Sequence, residues 1–164
     1  MCQLCETGEL GAAGFGVVTR PAEQLAGIAW AGSFADARAG AVRALLSGVQ
    51  ARVGQGNGLW ASPIIALSWN DRPDGFCSFV GIAAEEADPA MAFDTRLALP
   101  STTCATAWHA AGDGDVVRHY GRMIEWIASL GHTRDTGSYH HREEYPRDAD
   151  FDAAPELRLM IPID

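Results

Sequence analysis

The sequence carries one pattern twice, and that duplication restricts the chain more than any other feature. In the first half Arg20-Pro21 leads to Ile28-Ala29-Trp30-Ala31-Gly32 and then to a helical stretch. In the second half Leu99-Pro100 leads to Thr106-Ala107-Trp108-His109, reaches Gly112, and again enters a helical stretch. Trp30 and Trp108 are about 78 residues apart, and Trp69 precedes Tyr145 by about 76. Several matches in one order point to duplication of a single supersecondary unit.

Each copy reads as strand, helix, strand, strand. The first helix is expected from Phe34 onward, because Phe34, Ala37, Ala41, Leu45, Val49 and Val53 recur at helical spacing. Ser33 with Asp36 forms a capping-box pattern at its start. The second helix places Val116, Tyr120, Met123, Ile124, Ile127 and Leu130 on one face, with Asp113 or Asp115 as cap and Gly131 as terminator. One apolar face per helix implies that each packs on a sheet. Strands are expected at 25–30, 64–69, 76–83, 102–109, 138–145 and 157–163, separated by turn-rich pieces. The fold class is therefore α+β: a duplicated β-α-β-β unit with pseudo-twofold symmetry. One domain is expected over 15–164, with repeats at about 15–88 and 92–164, preceded by a flexible leader, 1–14.

Composition narrows the partners. Hydrophobic residues make up 48% and charged residues 20%, ordinary globular usage. The formal net charge is −9 and every basic residue is arginine. An acidic surface repels phosphate backbones, so direct nucleic-acid binding is not expected, whereas a cationic or neutral ligand is favoured. No stretch approaches the roughly 20 apolar residues of a membrane span, and Met1 to Gly14 lacks the basic and apolar regions of a secretory signal. A cytoplasmic setting with reduced thiols is expected. Cys2 and Cys5 have the spacing of half a zinc site with nothing to complete it, and Cys77 and Cys104 sit in apolar runs.

Three further features carry a resemblance. They are Glu143-Glu144-Tyr145 near a strand end, the closing Leu159-Met160-Ile161-Pro162-Ile163-Asp164, and the Pro…Trp…Gly run before each helix. Together they resemble the GyrI-like family, from about residue 15 to the end. That family includes the effector-binding domains of AraC-type and MerR-type regulators. The resemblance implies an antiparallel sheet with two helices on one face and a ligand cleft on the other. It implies aromatic walls for the cleft and an acidic residue of the Glu-x-Tyr strand inside it. Relatives of this kind include drug-sensing regulators, stand-alone proteins that protect gyrase, and hydrolases that open strained cyclopropane rings of DNA-alkylating natural products. The chain has no room for a helix-turn-helix domain, so direct reading of DNA is not expected.

Within that frame Glu143 is the first candidate. Side chains alternate along a strand, so His141, Glu143 and Tyr145 share one face while Arg142 and Glu144 point the other way. A carboxylate partly removed from water beside a phenol can pair with a ligand cation or take a proton from water. The alternative is a solvated carboxylate paired with Arg142 or Arg147. Trp30, Trp69 and Trp108 occupy duplicated positions near strand ends and could wall a cleft. His109, Tyr139, His141, Glu143 and Tyr145 complete the expected ligand-binding set, with Glu143 and Tyr145 the catalytic pair if the protein is an enzyme. Trp126 is assigned to packing.

No metal or cofactor is expected. His140 and His141 face opposite ways, and His141 with Glu143 offers only two ligands. Asp148, Asp150 and Asp152 alternate as in a calcium loop but lack its glycine and closing glutamate. Three functions follow. A small-molecule binding protein of sensor or resistance type ranks first, then a cyclopropane-opening hydrolase in which Glu143 activates water, then a protein inhibitor of DNA gyrase.

Overall fold

The computed structural model describes residues 14–164, so residues 1–13 of the expected leader, with Cys2 and Cys5, lie outside the described residues. Eight strands and three helices follow one another as β1 (Phe15–Arg20), β2 (Glu23–Ser33), α1 (Phe34–Arg38), α2 (Ala41–Gln50), β3 (Ile64–Arg72), β4 (Gly75–Ala83), β5 (Thr95–Leu99), β6 (Thr102–His109), α3 (Val116–Ser129), β7 (His141–Tyr145) and β8 (Leu157–Pro162). Two single 3₁₀ turns, Ala84–Glu86 and Pro89–Met91, link β4 to β5.

The local signals explain most boundaries. Ser33 caps α1: its hydroxyl accepts from the Asp36 amide at 3.0 Å, and the Asp36 carboxylate accepts from the Ser33 amide at 3.2 Å. Asp115 caps α3 by accepting from the Val117 amide at 2.8 Å. Gly131, just past the last turn of α3, takes a left-handed conformation with φ +79°. The first helix departs from the expected continuous run. Gly40, at φ +106°, breaks it into α1 and α2, because no hydrogen-bonded helical turn accommodates a left-handed residue. Strands β1 and β5 were not expected, and both lie at the edges of the sheet.

All eight strands form one antiparallel sheet in the order β1-β6-β8-β7-β3-β4-β2-β5. The order is symmetric about the β7–β3 pair, which makes the duplication explicit. Each repeat lends its first strand to the other half: β1 pairs with β6, and β5 pairs with β2. Yet β1 is joined to β2 only through Pro21 and Ala22, and β5 to β6 only through Pro100 and Ser101. Such a link spans at most about 10 Å. The two sheet edges must therefore approach each other at that end, and the sheet curls.

On its convex side the sheet carries the helices. Leu46 and Val49 of α2 pack on Ile64, Ala66 and Val80, while Met123 and Ile127 of α3 pack on Ala105, Ala107, Leu159 and Ile161. Fully burying each such side chain is worth roughly 1.5–3 kcal/mol. Inside the curl, Leu25, Ile65, Leu67, Phe79 and Tyr139 form a second apolar cluster. Beside it lies a buried charge network. Arg142 pairs with Glu23 and with Glu144, the latter at 2.9 Å, and Arg20 and Arg158 approach Glu144 at 3.6 and 3.8 Å. The cleft was expected on the helix-free face, but that interior is filled by these side chains, and the carboxylate-bearing groove opens on the helix face instead. The curl is the reason: it folds the helix-free face onto itself.

Burial alone would hold the Glu144 carboxyl above its usual range, but Arg142, Arg20 and Arg158 outweigh burial and hold it below. Breaking this network should be costly. Arg142→Met leaves Glu23 and Glu144 without their shared cation, and urea denaturation should show a loss of about 3–5 kcal/mol; an unchanged midpoint would mean the network contributes nothing.

Candidate functional site

Strand β7 runs along the centre of the sheet, and its alternation sorts adjacent side chains to opposite faces. Arg142 and Glu144 point into the curl. His141, Glu143 and Tyr145 point to the helix side. Helix α2 covers β3 and β4 and helix α3 covers β6 and β8, so the β7–β3 seam runs between the axes of the two helices. Glu143 pairs across that seam with Ala66, whose small side chain leaves room above the strand.

The half-buried Glu143 carboxylate is held from two sides. The Tyr120 hydroxyl of α3 donates to Oε1 at 3.1 Å, and the Tyr145 hydroxyl donates to Oε2 at 2.6 Å. Burial raises the Glu143 pKa, although the Tyr145 and Tyr120 hydrogen bonds and, after them, His109 pull the other way. Burial and the nearby carboxylate push both phenols well above their usual range, so each stays a protonated donor. The contrast with its neighbour is instructive. Glu144 faces three arginines, whereas among the described residues no arginine forms an ion pair with Glu143.

Around this carboxylate lies a hollow of about 270 Å³ lined by Ala37, Val42, Ala66, Ser68, Phe76, Ser78, Tyr120, His141 and Glu143. The His141 ring stands edge-on to Tyr120 with centroids 4.6 Å apart, and its Nε2 accepts from Arg134 at 3.2 Å. Burial, then the Arg134 and His140 charges, press the His141 pKa down to about 4. The ring is neutral at pH 7 and adds no positive charge to the groove. At the other end Phe76 packs on Trp30 and Phe34, at 5.3 and 5.7 Å between centroids. A larger hollow of about 530 Å³, lined by Arg43, Leu46, Pro146, Asp148 and Phe151 among others, is also lined by Tyr145. The smaller hollow is the stronger candidate because it contains the unpaired carboxylate.

Of the expected ligand-binding residues, Glu143 and His141 line the groove, Tyr145 anchors the carboxylate, and Trp30 backs Phe76. The others lie elsewhere. Trp69 packs beside the cluster inside the curl, and Tyr139 is fully buried there with its hydroxyl 3.6 Å from the Cys104 sulfur. Trp108 also faces away from the helices, stacked edge-on against Trp60 at 4.6 Å. A one-residue difference in strand register reverses a side chain's face, so duplicated tryptophans at a spacing of 78 need not share one. His109 is buried on the helix side but pairs with His119 at 2.8 Å and does not line the groove. Cys77, although it sits in an apolar run, is half-exposed and lies 3.0 Å from Asp71. Tyr120, Phe76, Ser68 and Ser78 were missed as groove residues. Tyr120 stood in the apolar stripe of α3, and the only available signal was a phenol that needs a polar partner.

A duplicated, curled antiparallel sheet with a carboxylate-floored groove between two helices defines the class of the domain as α+β. The sequence matches the GyrI-like small molecule binding domain over residues 15–164, and the chain belongs to that family. No curated protein matches it. Solved structures with the same fold include SAV2435 bound to tetraphenylphosphonium, with TM-score 0.66 and 14% identity over 92% of this chain and 93% of that one. The EcmrR C-terminal domain superposes with TM-score 0.61 and 15% identity over 92% and 96%. A hydrolase from Listeria innocua does so with TM-score 0.57 and 12% identity over 99% and 97%. At these identities the likeness is one of fold.

A carboxylate whose pKa is raised by folding lowers stability once ionised. That cost grows as the pH rises from the unfolded value through the folded one, and is absent in acid, where both states are protonated. Glu143→Gln should therefore melt at least as high as the natural protein at pH 7 and lose that advantage below about pH 4; a variant markedly less stable at pH 7 would contradict this environment for Glu143.

Proposed function

We propose that the protein binds lipophilic organic cations in the groove between α2 and α3, with Glu143 as the recognising charge. One observation carries the reading: Glu143 is a half-buried carboxylate held by two phenols and by no arginine, and the neighbouring imidazole is neutral. A buried charge without a partner is costly, and a bound cation would remove that cost. Tyr120 and Phe76 offer ring faces and edges for cation–π and stacking contacts, each worth about 0.5–2 kcal/mol. The net charge of −9 adds long-range attraction of the same sign.

The hollow as it stands is slightly smaller than the 300 Å³ or so at which drug-sized sites begin. Helix α1 is the wall that costs least to move, since none of its residues is buried. Displacing the Tyr145 ring would join the groove to the larger hollow beyond it. Ala37 of α1 and Tyr145 are thus the points at which a bulky ligand would make room.

A second reading has its own support. A carboxylate with a raised pKa is a better proton acceptor for water than an ordinary glutamate, so Glu143 with Tyr145 could serve a hydrolase acting on an electrophilic, largely apolar substrate such as a strained cyclopropane. The gyrase-inhibitor reading rests on net charge alone and has no site behind it.

Titration with tetraphenylphosphonium, followed by tryptophan emission, tests the first reading. Saturable quenching should appear at pH 7.5, weaken at least tenfold in Glu143→Gln, and weaken on acidification as Glu143 takes up a proton. Equal affinity in Glu143→Gln and in the natural protein would remove Glu143 from recognition. Mass spectrometry after incubation with a cyclopropane-bearing alkylator tests the second reading: water addition that is lost in Glu143→Gln supports it, and an unaltered substrate ends it.

A further inference from the structure

A second cluster of chemically capable side chains lies outside the groove, where the end of β6 meets the start of α3. His109 is the last residue of β6, His119 sits in the first turns of α3, and Asp113 lies in the exposed loop between them. Both imidazoles are buried, and one ligand atom from each of the three residues falls within 4.8 Å of the others. None of the three residues lines the groove.

The hydrogen bonds fix how the set is presented. His109 Nε2 lies 3.2 Å from the Gly114 carbonyl oxygen. A carbonyl can only accept, so Nε2 carries the proton and Nδ1 is left with its lone pair. That lone pair faces His119 Nδ1 at 2.8 Å, so His119 Nδ1 carries the proton between them. A backbone carbonyl that fixes the tautomer and aims the free nitrogen is the arrangement that orients metal-ligating histidines. Asp113 accepts from the Ala110 amide through one carboxylate oxygen at 2.8 Å, and its second oxygen is available. Burial holds His119 below its usual pKa, helped by His109 and Arg122 and opposed by Asp113.

We propose that His109, Asp113 and His119 form a binding site for a divalent transition-metal ion of the zinc class, with a fourth position open to water. Two imidazole nitrogens and one carboxylate oxygen suit zinc, cobalt, nickel or copper and not magnesium or calcium. Two nitrogens bound to one tetrahedral ion at 2.0–2.1 Å stand about 3.3 Å apart, so the histidine pair must open by about half an ångström. The His119 proton moves from Nδ1 to Nε2, and no net proton is released. The bound ion would tie the loop 110–115 to β6 and α3. It would also fix the turn of α3 that carries Tyr120.

The test uses the full chain, stripped of metal by chelator, with Cys2→Ser and Cys5→Ser so that those thiols cannot bind the ion. Cobalt(II) is titrated alone, followed by its visible d–d absorption, with zinc(II) as competitor and magnesium(II) as control. One equivalent of cobalt should bind, be displaced by zinc, and raise the melting temperature, with no effect of magnesium. His109→Gln should abolish the absorption. Because a buried histidine variant can fail to fold, Asp113→Ala, at an exposed position, should independently weaken binding about tenfold or more. Long-range proton–nitrogen spectra of the zinc-loaded protein should show coordination shifts at His109 and His119. Absence of stoichiometric binding, binding indifferent to Asp113→Ala and His109→Gln, or shifts at His132, His140 and His141 instead would overturn the site.

Discussion

The β7–β3 seam is the constraint from which the candidate site follows. Each repeat brings one long amphipathic helix and packs it on its own strands, so the two helices sit to either side of the pseudo-twofold axis. A duplicated unit of this kind leaves a furrow along the axis unless something else fills it. Here the residues along the furrow are small or polar, Ala66, Ser68, Ser78 and His141, and the charge among its lining residues is that of Glu143. The groove is thus a by-product of the symmetry, and Glu143 gives it chemical character.

Two adjacent glutamates show how the curl and the strand alternation divide labour. Glu144 enters the interior, where the β1–β2 corner brings Arg20 beside it and where Arg142 and Arg158 already stand. Its charge is compensated and helps hold the rolled sheet. Glu143, one residue earlier, emerges on the helix face, where hydrogen bonds but no cation receive it. A strand reversal of one residue would exchange these roles, which makes the register between β7 and its neighbours as important as the residues themselves.

Much of this was legible in the letters, for identifiable reasons. The alternation His141, Glu143, Tyr145 against Arg142, Glu144 depends only on extended backbone, and it holds. The capping residues Ser33 and Asp115 and the terminator Gly131 act through local geometry, and they hold as well. The failures are non-local. Nothing in Phe15–Arg20 or Thr95–Leu99 tells that each pairs with the opposite repeat, because that pairing is set by the roll of the whole sheet. Trp69, Trp108 and Tyr139 looked like cleft walls because they flank the right strands, but their faces depend on register and curl. Tyr120 was read as packing because helical periodicity does not reveal which member of a stripe meets a carboxylate. His109 and His119 escaped notice as a pair because they lie ten residues apart on different kinds of element.

The central claim is that Glu143 is an uncompensated carboxylate awaiting a cation, and its own titration tests this most directly. Carbon NMR of the labelled Glu143 carboxyl should give a midpoint above the ordinary glutamate value near 4.5 in the free protein. With tetraphenylphosphonium bound, the midpoint should fall, since a cation stabilises the ionised form. A midpoint at or below the ordinary value in the free protein, or one that the bound cation leaves unmoved, would contradict the account.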